Sequence, residues 1–384
     1  MPNPNAILSN RIRFDPPLEG RDLAEAVRGG EQSVDLGGDR RIRLDPADER
    51  SVGFARVLSE LAGLGLPAYL ELDSESGRIE RLLIPTVGRV LSVATSEDGG
   101  VEVTVDRSHA RHPVPGDSPD RDILERDLRA ALESKVPIAL VKDFQGRVID
   151  VRDFTPDAEG PMPPFPEPGD EPLPVPWRPK RWWEYVIIWP LRRLWWWIRY
   201  PWWLWRCPSS KSAQGIFDAM AATTCDPLTV PIPCIPFKYP YDGCWARANE
   251  MCRLMVLMGR DPAKVWIDGR LIAASPNALD CHVHWGWHVA PTLCVRGAKR
   301  WWSTTRMVID PSLFTTPVTE AQWKGAQGDP NASLTNTGRE IYIRPPWTPL
   351  HDDAQYTATK ADLAAYRIAL YNESIQNGPP PYCP

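Results

Sequence analysis

Between Cys244 and Met258 apolar residues recur at 244, 248, 251, 252, 255 and 258, the three-and-four spacing of one buried helix face, and Gly259 with Pro262 supplies the stop. The pattern predicts a helix with Cys244 in its first turn, directly after Asp242-Gly243. Upstream the periods are mixed. "RIRFDP" and "RIRLDP" alternate as short strands, "SVGFARVLSELAGLG" is an amphipathic helix ending in glycine, and "AYLELD" and "RLLIP" are further strands. "RVLSVATSEDGGVEVTVD" is a hairpin around Asp98-Gly99-Gly100; "DRDILERDLRAALESK" is a second helix and "PIALVKDFQGRVIDVRDF" a second hairpin. Downstream, "AKVWIDGRLIAA" predicts strand, turn and strand, and "CHVHWGWHVAPTLCVRG" with "RWWSTTRMVIDPSLF" flank a turn near Gly297. "TKADLAAYRIALYNESIQNG" closes the chain as a helix with Leu363, Tyr366, Leu370 and Tyr371 facing inward, and residues 325–338 are expected as a mobile loop beside a cleft.

The fold class that follows is α+β. Residues 1–155 form a mixed α/β domain; 156–180 are a proline-rich linker, 181–206 a Trp/Arg-rich interfacial segment, and 207–384 a second domain that holds the candidate chemistry. Ten prolines between Thr155 and Lys180 keep that stretch out of helices and central strands, so it is an extended spacer. Ten of the 18 tryptophans lie between Trp177 and Trp205. Pro190, Pro201, Glu184, Arg192, Arg193 and Arg199 argue against a membrane-spanning helix there, whereas tryptophan mixed with arginine suits a headgroup layer. A membrane surface is therefore one expected partner, with packing between domains or against another protein as the alternatives.

Charge changes the picture in one respect. The net −5 of the 384 residues divides into −12 over residues 1–175, +6 over 176–206 and +1 over 207–384, so there is no broad basic face for nucleic acid. All eight cysteines lie at or after Cys207; if Cys244 is free, three disulfides at most can form and a second thiol stays unpaired. The N-terminus carries no apolar signal segment, which leaves location open between retention, membrane association and export by a signal-independent route.

The candidate chemistry gathers in the second half. A helix start favours an anion, so the Cys244 thiol is expected to shift toward thiolate. If the hairpin is centred near Ala298, His288 faces position 308 and Asp310 is its diagonal neighbour, while Pro291 makes the strand an edge or a bulged one. Cysteine, histidine and aspartate in these roles make a nucleophile, a general acid/base and an orienting carboxylate, with backbone N–H groups at the helix start for an oxyanion. A buried structural cysteine and a satisfied core histidine would explain the same spacing. His282, His284 and His288 could reach zinc only with a bend, so no metal or cofactor is expected. His109 and His112 are expected at the surface, and the first half offers no catalytic constellation.

"DGCWARANEM", "HWGWHVA" and "VIDPSLFTTPVTEAQW" closely resemble the protein-glutaminase family, bacterial enzymes that deamidate glutamine side chains within folded proteins, and the resemblance spans roughly residues 230–345. It implies a core similar to that of transglutaminases and papain-like enzymes, with the cysteine on a helix N-terminus and histidine and aspartate on adjacent antiparallel strands. The family's catalytic residues fall on Cys244, His288 and Asp310. Trp245, Trp285 and Trp287 are candidates to wall the slot for a glutamine stem, and Ser312 is a candidate to support the carboxylate or the turn that follows it. The implied partner is a protein or peptide with an accessible glutamine. Familiar members carry a signal peptide and a pro-region that blocks the cleft; this chain shows no signal, and its first domain matches no family residue one by one. The alternatives to hydrolysis are transglutaminase-like acyl transfer, a cysteine peptidase, and an inactive membrane-associated binding module.

Overall fold

The computed structural model describes residues 5–17, 22–30, 32–38, 40–96, 99–154, 207–229, 234–297, 303–344 and 351–384. The expected linker 156–180, the Trp/Arg-rich segment 181–206 and the turn at Ala298 lie outside the described residues. No helix among the described residues is long and apolar enough to cross a membrane.

The first part contains β1 (Ala6–Ser9), β2 (Arg13–Asp15), α1 (Leu23–Arg28), β3 (Ser33–Asp35), β4 (Arg41–Arg43), α2 (Ser51–Leu64), β5 (Ala68–Leu72) and β6 (Ile79–Leu83). There follow β7 (Thr86–Gly88), β8 (Val90–Thr95), β9 (Val101–Val105), β10 (His112–Val114), α3 (Arg121–Ser134), β11 (Ile138–Lys142) and β12 (Val148–Asp153). One plan appears twice, as β3-β4-α2-β5-β6 and again as β9-β10-α3-β11-β12, each with a 14-residue helix between two antiparallel pairs. The helices stop where the chain turns left-handed, at Gly65 (φ 66°) and Lys135 (φ 57°). Phe54, Val57, Leu58 and Leu61 of α2 are at most 1% exposed, and burying each contributes about 1.5–3 kcal/mol against the sheet strands Leu70 and Leu82 occupy. The two copies differ in the connection that matters here: residues 36–40 join β3 to β4, and residues 106–111 join β9 to β10.

The second part contains α4 (Ser210–Ala221), α5 (Cys244–Leu257), β13 (Ala263–Ala274), β14 (His282–Arg296), β15 (Thr304–Val308), β16 (Val318–Thr319), α6 (Glu320–Gly325), β17 (Ser333–Gly338), β18 (Ile341–Ile343), β19 (His351–Asp352) and α7 (Thr357–Asn377). Its five-stranded antiparallel sheet runs β16-β15-β14-β13-β17. "AKVWIDGRLIAA" is one strand with an irregularity between Asp268 and Leu271 rather than two strands, and the last six residues of the expected loop 325–338 are the edge strand β17.

β14 is central, contrary to the expectation drawn from Pro291. The Pro291 carbonyl accepts from Ile309 N (2.9 Å), so its missing N–H also points toward β15, just beyond the last pair, Thr292 with Val308. No ladder bond is lost there. The hairpin register pairs Thr292 with 308 and Arg296 with 304, which moves the opposing position for His288 from 308 to 312. Because that shift is an even number of residues, the side chains keep their faces. Asp310 lies just past the end of β15 rather than on a strand.

Three disulfides join Cys207 to Cys294, Cys225 to Cys234 and Cys281 to Cys383, and Cys244 and Cys252 are the free thiols. Helix α7 does more than close the second core. Leu363 and Tyr366 pack with Trp245 and Trp287, whereas Ile368 and Tyr371 complete the core built on α2.

Gly243, the residue before α5, has φ 83°, and a Cβ there would fall on the Tyr366 ring. Gly243→Ala is expected to cost about 2–4 kcal/mol, the sum of a left-handed backbone and overpacking. Chemical denaturation of the full chain measures it, and a cost below 1 kcal/mol would contradict the fit described.

Candidate active site

The start of α5 is held from outside the helix. Asp242 Oδ1 accepts from Gly243 N (3.0 Å), and the buried Arg247 guanidinium donates to the carbonyls of Asp242 (2.6 Å) and Tyr239 (3.0 Å). Cys244 therefore has one orientation, with its sulfur facing β14. It is 1% exposed.

Across from it, His288 Nε2 and Asp310 Oδ2 are 2.9 Å apart. Asp310 is also bonded by Ser312 Oγ at 2.5 Å on Oδ1 and by Trp323 Nε1 at 2.9 Å on Oδ2. Burial alone would raise the Asp310 carboxyl; the charge on His288 and the bonds from His288, Ser312 and Trp323 outweigh it and hold the group at about 2. The His288 ring is stacked on Trp285 (4.5 Å, 18°) and lies 5.5 Å from Trp323. Its Nδ1 is buried without a hydrogen-bond partner on the side away from Asp310. The carboxylate fixes the ring at Nε2 and leaves Nδ1 as its available nitrogen.

The thiol departs from the sequence expectation. Burial pushes the Cys244 thiol well up, with Asp242 and Asp310 adding to it; Arg247 and the Val289 backbone N–H act in the opposite direction and are the weaker influence. The helix start favours a thiolate only while water or a cation can reach it. Here burial is the stronger influence.

What fills the space is the connection between β9 and β10. Along β14, strand β15 pairs only with residues 292–296, so one edge of the segment around His284 to Gly286 is open. Residues 109–111 add to that edge: Arg111 N donates to His284 O (2.9 Å), Gly286 N donates to His109 O (2.8 Å), and Ala110 is bridged antiparallel to Trp285. Ser108 Oγ donates to Asp242 Oδ2 (2.5 Å), and Arg111 reaches Glu102 (2.8 Å), Trp285 O (3.1 Å) and Leu271 O (3.1 Å). His109 Nδ1 is 2.8 Å from Trp287 O and 3.3 Å from Cys244 Sγ. Its ring is 5.9 Å from Trp245, 5.3 Å from Trp285 and 5.3 Å from Trp287.

Trp245, Trp285 and Trp287, singled out as slot walls, thus do surround a side chain beside the sulfur. That side chain is His109 of the first half. Trp245 is fixed through Nε1 to Asp362 Oδ2 (2.7 Å). Ser312 supports Asp310 and forms no part of the wall. His282 and His284 do not join His288; the first is exposed and the second half-buried. His109 and His112 are each 1% exposed, a correction to the surface expectation: strand addition to β14 and the β10 ladder bury them. Sequence reasoning also missed Trp323. The available signal was the Thr319-x-x-Gln322 capping box, which starts α6 and aims Trp323 at the site.

The family described as Glutaminase matches residues 213–327. No curated protein matches the chain. Among solved structures, a crystal structure of pro-protein-glutaminase is 21% identical, covering 73% of this chain and 92% of that one with a TM-score of 0.47. A crystal structure of protein-glutaminase is 31% identical, covering 42% of this chain and 89% of that one with a TM-score of 0.38. The NMR structure of protein-glutaminase from Chryseobacterium proteolyticum is 32% identical, covering 40% and 84% with a TM-score of 0.35. Residues 213–327 thus match the glutaminase family model, and the solved structures that the chain is similar to are protein-glutaminases.

Proposed function

We propose that the chain deamidates glutamine side chains carried on proteins, with Cys244 as nucleophile, His288 as general acid/base and Asp310 as the carboxylate that orients it. The observation that carries the reading is the unpartnered Nδ1 of a carboxylate-anchored His288 beside a thiol at a helix start. The Cys244 proton moves to His288 Nδ1 as sulfur attacks the side-chain carbonyl carbon, and the oxyanion meets N–H groups at the start of α5 and at Val289. His288 returns the proton to the departing nitrogen, which leaves as ammonia. Water then adds to the thioester with His288 as base, giving glutamate and the free thiol. Residues 207–384 are read as a transglutaminase-like catalytic domain.

Residues 1–155 are read as an accessory domain that inhibits by occupying the slot. The support is local: His109 stands inside the tryptophan cage and residues 109–111 take the β14 edge that an extended substrate would use. A membrane surface is read as the partner of the Trp/Arg-rich segment on composition alone, since tryptophan mixed with arginine suits a headgroup layer.

Cys244→Ala is expected to abolish ammonia release and the amide-to-acid mass change on a glutamine-containing protein, and His288→Ala to lower the rate about 10²–10⁴-fold. A labelled amine should not be incorporated in place of water; retained deamidation by Cys244→Ala would exclude the proposal. Arg111→Ala removes the bonds to Glu102, Trp285 and Leu271 that seat the connection, and should raise activity of the full chain about tenfold or more, from about 1.4 kcal/mol or more of lost docking. An unchanged or lower rate in a folded variant argues against inhibition.

Burial pushes His109 and His112 well below the usual imidazole range, with His288, Arg247 and Lys142 adding to the effect on His109 and the Trp287 carbonyl opposing it. The undocked form takes up protons near pH 6.5 that the docked form refuses, so docking is fully stable above that pH and is lost progressively below it. His109, which docking itself buries, contributes a slope of about 1.4 kcal/mol per pH unit, whereas His112 is held by its own ladder with β9. The melting temperature of the full chain should fall between pH 7 and 5, less steeply in His109→Asn; equal slopes in the two proteins would contradict the assignment.

A further inference from the structure

Cys244 Sγ and one ring nitrogen from each of His109 and His288 lie within 4.8 Å of one another, and all three residues are buried. Sequence alone could not assemble this set, because one donor comes from the β9–β10 connection, one from the start of α5 and one from β14. The thiol and His109 Nδ1 are 3.3 Å apart, close to the separation of about 3.6 Å between sulfur and nitrogen in a tetrahedral zinc site. Two further features are those of a metal centre. His288 is anchored at Nε2 by the Asp310 carboxylate and leaves Nδ1 bare. His109 Nε2, also without a hydrogen-bond partner, stands 3.5 Å from Asp242 Oδ1. Each imidazole thus has a carboxylate on its far nitrogen, the arrangement that orients histidine ligands toward a metal.

We propose that the closed form binds one soft divalent cation, Zn²⁺ in the first instance, through Cys244 Sγ, His109 Nδ1 and His288 Nδ1, with water in the fourth position. The site exists only while the β9–β10 connection is docked, so the metal ties the first half of the chain to the nucleophile. It goes beyond the deamidation reading and stands on the donor cluster whatever the substrate is. On binding, the thiol loses its proton to solvent and a metal–sulfur bond forms. The His109 proton moves from Nδ1, where it faces the Trp287 carbonyl, to Nε2 facing Asp242, and His288 keeps its Nε2 proton on Asp310. One proton is released per metal, and no oxidant or reductant is needed. Donors that lie up to 4.8 Å apart must close by about 1 Å to reach zinc distances, a motion open to side-chain rotation.

The test is titration of the full, chelator-treated chain with Co²⁺ and then Zn²⁺. Expected are one equivalent bound, a thiolate-to-cobalt charge-transfer band in the near ultraviolet, and displacement of the band by Zn²⁺. Cys244→Ser should remove the band, and His109→Asn should weaken Zn²⁺ binding at least tenfold while melting cooperatively, so that loss of ligand is separated from loss of fold. His282→Ala with His284→Ala should leave both unchanged. Absence of the band in the intact chain, its survival in Cys244→Ser, unchanged affinity in folded His109→Asn, or loss with the His282/His284 pair would each overturn the site. These are spectroscopic and binding readouts, so a failed deamidation assay leaves them untouched.

Discussion

Exclusion of water from one sulfur atom is the constraint on which the rest of the architecture turns. A thiol at a helix start is ordinarily made acidic by unpaired N–H groups and the helix dipole, yet at Cys244 desolvation wins. The reason is geometric. With the tryptophan cage and the His109 ring packed around it the sulfur is buried, and a thiolate there has Arg247 and one backbone N–H to offset the cost of desolvation. The same surroundings keep the Asp310 carboxylate ionised, because it receives bonds from three side chains while the sulfur is close to one uncharged imidazole. Burial thus favours the neutral thiol at Cys244, while the bonds around Asp310 favour its anion.

The second consequence concerns how the two halves of the chain share their stability. All six bridged cysteines lie at or after Cys207, so the first half is attached to the catalytic part without a disulfide. What joins them is the strand addition at residues 109–111 and helix α7, whose Leu363 belongs to the core around Trp245 and whose Tyr371 belongs to the core around α2. Asn372 and Gln376 fasten the end of that helix to the Leu82 carbonyl at 2.9 Å. The contacts made by α7 are thus separate from those made by the β9–β10 connection.

Legibility followed the range of the interaction. The Cys244 helix, the two 14-residue helices and the hairpins of the first half were readable because periodicity and turn residues act over a few positions. The relation of His288 to Asp310 survived a register error because an even shift preserves the face of a strand. Pro291 misled, since its missing donor is harmless at the end of a ladder in a central strand. His109, His112 and Trp323 were misread or missed for a common reason. Their burial is decided by partners outside their own segments, Asp310 for Trp323 and the Trp287 carbonyl for His109, and the capping box at Thr319 marks only the start of the helix that carries Trp323. The thiol's acidity was misjudged likewise, from the helix alone and without the segment that covers it.

The most direct measurement of the central claim is peptide-resolved alkylation, following iodoacetamide addition at Cys244 and Cys252 separately by mass spectrometry in the native full chain and again after urea unfolding. The account predicts that Cys244 in the native chain reacts slower than the same thiol unfolded by several orders of magnitude, and that its rate rises as pH falls from 7 toward 5 and the histidine-bearing connection loosens, opposite to the trend for any ordinary thiol. A native Cys244 that labels at the unfolded rate, or whose rate only falls with decreasing pH, would contradict it.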